Sequence, residues 1–122
     1  MIIDGANGSF QCSAGLLQEW DLFFVHSFAA EPCPKHLRPA MAEFLTRINY
    51  GLFSGAFELD LEDGEIRAKT SVDFRGSQLD TALVRNTVET NWLLMDRHLP
   101  GLQAILRGES PLAAARLTGH SD

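Results

Sequence analysis

Nowhere in the 122 residues do more than four plainly apolar side chains follow one another, as they do at Leu22, Phe23, Phe24 and Val25. Crossing a bilayer takes about 20, so no stretch reads as a membrane span. Cysteine is scarce. Cys12 and Cys33 have no CxxC spacing and no neighbouring cluster of metal ligands, which makes two reduced thiols the expectation and a disulfide between them the alternative. Bases are outnumbered, 10 against 16 acids for a net charge of −6, and no Lys/Arg cluster breaks the pattern. A phosphate backbone or an anionic lipid surface finds nothing to grip, so neither nucleic acid nor membrane is an expected partner. The opening residues, Met1 to Gly5, lack the positive and apolar regions of a secretory signal. The expected compartment is the cytoplasm, where the glycosylation pattern Asn7-Gly8-Ser9 has no bearing.

Catalytic signatures are missing too. His26, His36, His98 and His120 show neither HxH nor HxxxH spacing, so no local zinc signature exists. There is no GxSxG elbow, P-loop or GxGxxG turn to expose a nucleophile or cradle a phosphate. His98 reads as a residue near a helix end, compatible with the dipole there. Glu58, Asp60, Glu62 and Glu65 read as a solvated acidic face. A calcium loop is excluded, because aligning Gly64 with its sixth position puts Leu59 and Leu61 where carboxylates belong. No enzyme, metal or cofactor is expected.

What the chain does carry is a folding pattern. With 45% hydrophobic and 21% charged residues it fits one globular domain, long enough to bury roughly two-thirds of its unfolded surface. Phe57, Leu59 and Leu61 alternate with Glu58, Asp60 and Glu62, and Ile66, Ala68, Thr70, Val72 and Phe74 alternate with polar residues. That is the period of strands with one buried face. Asp63-Gly64 between them suits a two-residue type I′ turn, and facing residues then sum to 127. Leu61 would meet Ile66, Leu59 Ala68 and Phe57 Thr70, with charge pairs Asp60–Arg67 and Glu58–Lys69 on the other face.

Upstream, Leu37, Met41, Phe44, Leu45, Ile48 and Leu52 recur at helical spacing, predicting an amphipathic helix over 36–50 with Pro39 at its start. Residues 20–28 read as a strand ending at Pro32-Cys33-Pro34. Residues 9–14 read as an edge strand beside it, and 16–19 as its end or as the start of a short helix. Downstream, Ser77 and Asp80 resemble a capping box, and Leu79, Leu83, Val84, Val88, Trp92, Met95 and Leu99 mark a long helix, kinked or broken at Pro100-Gly101 before Leu102, Ile105 and Leu106. Within it Trp92, Leu93, Leu94 and Met95 are apolar all round the axis, so one side has to meet a further element or another subunit.

Asn49-Tyr50-Gly51-Leu52, Gly55-Ala56-Phe57-Glu58-Leu59-Asp60, Asp63-Gly64-Glu65-Ile66-Arg67, Asn91, Met95-Asp96-Arg97 and Leu99-Pro100-Gly101 together resemble the YbjN-like family of bacterial proteins, over residues 20–108. The resemblance implies an α+β domain similar to type III secretion chaperones, in which a twisted antiparallel sheet packs on helices and subunits often pair. It implies a sensory-transduction regulator and supplies no catalytic residue. Met1 to Glu19 do not supply the opening helix of those chaperones.

The expected organisation is an N-terminal segment over 1–19 with an edge strand, an α+β domain over 20–108, and a partly disordered tail over 109–122, in which the Ala-rich residues from Leu112 read as a frayed helix followed by disorder. The expected fold is an antiparallel sheet with a central hairpin packed against two main helices. The expected function is a non-catalytic protein-interaction module, regulatory or chaperone-like, acting as a homodimer paired through Trp92, Leu93, Met95 and Leu99. The alternative is a small-ligand sensor or enzyme with a pocket between sheet and helix, lined by Asn49, Tyr50 and Asn91.

Overall fold

The computed structural model describes residues 1–119. Five strands, β1 (Ile2–Gly5), β2 (Gly8–Leu17), β3 (Leu22–Phe28), β4 (Ala56–Leu59) and β5 (Ile66–Asp73), form one antiparallel sheet in the order β1-β2-β3-β5-β4. Of three helices, α1 (Arg38–Tyr50) and α2 (Thr81–Leu106) pack on one of its faces, and α3 (Pro111–Leu117) packs on those two. The result is the α+β class read from the alternating patterns.

Side chains alternate across a strand, and burial follows that alternation. Phe10, Cys12, Phe23, Val25, Ser27, Phe57, Ile66, Ala68 and Thr70 are buried toward the helices. On α1 the spacing Met41, Phe44, Leu45, Ile48 puts four buried side chains on one stripe, and Pro39 sits in the first turn, where its missing N–H costs nothing. Beneath the helices a polar set is also buried. Asn91 donates from Nδ2 to the carbonyls of Val25 at 2.9 Å and Ala68 at 3.0 Å, and accepts from the Ser27 hydroxyl. Thr70 donates to the Thr87 carbonyl at 2.9 Å. These bonds tie α2 to the two central strands at one register.

Four local expectations change. The hairpin pairs Leu59 with Ile66 and Phe57 with Ala68, a sum of 125, because the connection is wider than Asp63-Gly64. Asp60 N–H donates to the Glu65 carbonyl, Gly64 N–H to the Asp60 carbonyl, and the Asp60 and Asp63 carboxylates accept from the amides two residues on. Arg38 then clamps the loop, donating to the carbonyls of Cys33, Leu61 and Glu62 at 3.0–3.1 Å. A slip of two residues preserves parity, so the buried face is the expected one while Leu61 leaves the strand and is exposed.

The second change is at α2, whose N-cap is Asp80, accepting from Leu83 N–H at 2.8 Å, rather than Ser77. The helix also runs unbroken through Pro100. Third, residues 2–17 form the β1–β2 hairpin, with β1 rather than 9–14 at the edge, and Gln18–Trp20 are a 3₁₀ turn. Fourth, the helix expected to fray in the tail is a packed one over residues 111–117, capped by Ser110, with Ala114 and Ala115 fully buried against α1 and α2. The expected disorder at the end of the tail, and His120, lie outside the described residues.

Candidate functional site

Because all three helices lie on one side, the other face of the sheet is uncovered. Its central strand, β3, places Leu22, Phe24, His26 and Phe28 there, all half-exposed. The His26 ring lies 5.1 Å from that of Phe24 and 5.9 Å from that of Phe28, contact distances for aromatic pairs. Register puts Gly15, Ser13 and Gln11 of β2 on one flank, and Ser71, Lys69 and Arg67 of β5 on the other. Phe24 lies over Gly15, where an added Cβ would stand 2.7 Å from the ring, so the phenyl fills the space that a side chain at 15 would occupy. At the lower end Leu17 and Trp20, 41% and 63% exposed, border a shallow depression with Leu22, Asp73 and Arg75. An apolar stripe thus runs the length of the central strand, a feature that marks interaction surfaces.

Charge borders the stripe on one side. Glu58 of β4 pairs with Arg67 at 2.7 Å and Lys69 at 3.0 Å. Burial by itself would raise the Glu58 pKa, but hydrogen bonds from Lys69 and Arg67 outweigh it and hold the carboxyl below its ordinary value. His26 is held below the ordinary imidazole value by its partial burial, then by Arg67 and Lys69, with Glu58 acting in the opposite sense. As pH falls the unfolded chain therefore takes up this proton first. The stability carried by the neutral ring is complete above the ordinary imidazole pKa of about 6.5 and is lost as pH drops through it toward the lower folded value. In urea melts the parent is expected to lose more stability than His26→Gln between pH of about 7.5 and about 5, a bracket around that ordinary value. Equal losses would show that His26 does not titrate against the fold.

The residues singled out from the sequence are dispersed. Met95 and Leu99 are in the core, 0% and 5% exposed, with no surface to offer a second subunit. Trp92 is half-buried, packs against both apolar clusters of the core, and donates its indole N–H to Cys12 Sγ at 3.1 Å. Only Leu93, 70% exposed, points outward. The all-round apolar turn is thus largely absorbed within the chain: the β1–β2 hairpin extends the sheet far enough to meet Trp92, and Leu94 packs at the other side, beside Gly55.

Asn49, Tyr50 and Asn91 share no pocket. Asn49 binds the outer backbone of edge strand β4, accepting from Phe57 N–H at 2.8 Å and donating to its carbonyl at 2.9 Å. It mimics one residue of a neighbouring strand and blocks that edge from further pairing. Tyr50 is 96% exposed, and Asn91 is committed to the sheet. His98, expected near a helix end, is fully buried in mid-helix, donating from Nδ1 to the Leu94 carbonyl at 2.8 Å and packed edge-on against Phe57. Cys12 and Cys33 are free and buried, and burial pushes the Cys33 thiol up, with Arg38 opposing. Among the described residues, no three His, Cys, Asp or Glu side chains gather as a metal site.

The Asp96 to Gly101 segment has a structural explanation. Pro100 has no N–H to give the carbonyl four residues back, and that carbonyl, of Asp96, instead accepts from Asn7 Nδ2 at 3.1 Å. Asp96 Oδ1 accepts from Asn7 N–H at 2.8 Å, so the β1–β2 turn is docked on α2. Arg97 donates to the Thr118 carbonyl at the end of α3. The open-face residues were hidden in the sequence, where residues 22–28 read only as an apolar strand. Their one signal is that both parities of that strand are apolar or aromatic.

A cleft of about 290 Å³ lies elsewhere, between the start of β2, the chain just after β3, and the second half of α2. None of the described helices is long and apolar enough to cross a membrane. No curated protein and no solved structure matches the chain. Residues 2–104 match the model of the YbjN family, described as "Putative bacterial sensory transduction regulator", so the match begins at β1 and takes in the hairpin that the resemblance over 20–108 left out. With most of its length matched, the chain belongs to the YbjN family.

Proposed function

We propose that this chain is a non-catalytic protein-interaction module that acts as a homodimer through its uncovered sheet face. The observation that carries the reading is the stripe Leu22, Phe24, His26 and Phe28 on the central strand, continued by exposed Leu17 and Trp20. A sheet covered on one side by helices normally keeps its other face polar, and apolar side chains at the middle of such a face gain by meeting a partner. The family's description as a regulator rather than an enzyme agrees with this role.

Light scattering over a range of concentrations tests it. The parent is expected to have the mass of two chains, and Phe24→Ser/Phe28→Ser the mass of one, with unchanged far-UV circular dichroism because both residues are half-exposed. Leu93→Glu is expected to stay dimeric. A parent that is monomeric at every concentration, or a serine variant that remains dimeric, overturns the proposal.

A further inference from the structure

The sheet is split at one end. β3 pairs with β2 as far as Phe28 opposite Gln11, then stays with β5, where Ala29 N–H donates to the Ile66 carbonyl at 3.0 Å and Cys33 N–H to the Gly64 carbonyl at 2.8 Å. β2 continues alone beside β1. Which way its backbone points follows from the alternation of an antiparallel ladder. Met1 and Cys12 exchange both of their hydrogen bonds, so the even residues of β2 bond β1 and the odd ones bond β3. Gln11 is the last odd residue with a strand opposite. Ser9 comes next, and the residue in line for it, Ala30, has left the ladder. The Ser9 N–H and C=O therefore face an empty strand position.

That position opens into depressions on both faces. On the helix side is the cleft of about 290 Å³, floored by Ile66, Leu99, Leu102 and Leu106. On the open side is a smaller one of about 170 Å³ against Ile2, Phe10 and Gln11. Ser9 and Ala30 border both. A third adjoins along Ala29 to Pro32 and reaches Asp63 and Glu65. Three acids, Glu31, Asp63 and Glu65, line these depressions and no Lys or Arg lines any of them.

We propose that this split is a peptide-binding slot, which takes an extended segment of another protein carrying an aliphatic residue beside a basic one. The segment pairs with Ser9 as an added strand. Its alternate side chains then point to opposite faces: an aliphatic one onto the leucines of α2, and a basic one along the acidic rim. Strand addition of this kind takes affinity from the backbone and selectivity from the side-chain pockets. The slot meets the apolar stripe at Phe28, which lines the third depression, and does not depend on dimerisation.

The test is selection of a phage-displayed random heptapeptide library on the immobilised full chain, followed by titration of the enriched synthetic peptides. Enriched sequences are expected to combine a Leu, Ile or Val with Lys or Arg, and to move the Ser9 and Ala30 amide resonances. Ala30→Tyr plugs the slot from an exposed position, and Ser9→Pro removes an N–H that no ladder bond uses, a place where proline is tolerated. Each is expected to weaken binding at least about tenfold, or about 1.4 kcal/mol, with the rest of the amide spectrum preserved. No enrichment, enrichment of acidic peptides, or binding indifferent to both variants overturns the slot. Phe24→Ser, which alters the stripe and leaves Phe28 at the edge of the slot in place, is expected to bind the peptides as the parent does, which separates failure of the slot from failure of the dimer.

Discussion

Asn91→Ala is expected to lower stability by about 2–4 kcal/mol in urea unfolding, the larger of the two strongest effects anticipated for single substitutions. The side chain is 0% exposed and holds three partners: the Val25 and Ala68 carbonyls and the Ser27 hydroxyl. The two carbonyls keep their ladder bonds in the variant. The Ser27 hydroxyl, also 0% exposed, is left in a dry site with a cavity beside it, and an unmade buried hydrogen bond costs more than a made one gains. Removing both partners together is milder, so Asn91→Leu/Ser27→Ala is expected to recover more than half of the loss. A change for Asn91→Ala within about 0.5 kcal/mol, the size of an ordinary surface substitution, would show that the network does not hold α2 on the sheet.

The second effect is recognisable by its sign. Glycine inside a helix ordinarily costs about 1 kcal/mol relative to alanine, so Gly101→Ala should stabilise a free helix. Here it is expected to destabilise the protein by about 1–3 kcal/mol, as overpacking does. A Cβ at 101 would lie 2.8 Å from Cε1 of the buried Phe44 ring, with Cζ nearer still, and 3.1 Å from the Ala114 carbonyl oxygen. α1, α2 and α3 meet at that point, and none can retreat without opening the core. Gly101→Ala/Phe44→Leu is expected to tolerate the added methyl better than Gly101→Ala alone. Thermal melts that rise for Gly101→Ala would mean that the three helices do not meet as closely as described.

Both sites show why some of this protein was legible in advance and some was not. From the sequence Asn91 reads as lining a pocket between sheet and helix, and Pro100-Gly101 as a kink or a break. The first misplaces the side chain, whose amide is spent on the carbonyls of Val25 and Ala68. Of the second, only the break is removed: the helix continues through Pro100, and the carbonyl that the proline abandons is paired by Asn7, far away in the chain. Likewise Trp92 looked like an interface because four consecutive apolar residues cannot share one stripe. The hairpin that meets Trp92 comes from residues 2–17, where alternation of small and polar residues is too weak to announce two strands.

The sequence by itself determined the periods: which residues of 56–74 face inward, which stripe of α1 is buried, and that the domain is α+β. Those follow from chain geometry, two residues per strand repeat and 3.6 per helical turn, and they survive a register slip of two because parity is unchanged. Tertiary structure decided the rest. Arg38 widened the hairpin loop, Asp96 and Asn7 carried α2 through its proline, and the gathering of all three helices on one face left Phe24 and Phe28 uncovered. Each depends on a contact between residues far apart in the chain. Such contacts leave no local pattern, because what selects them is the shape and hydrogen-bonding need of a surface that exists only once the chain has folded.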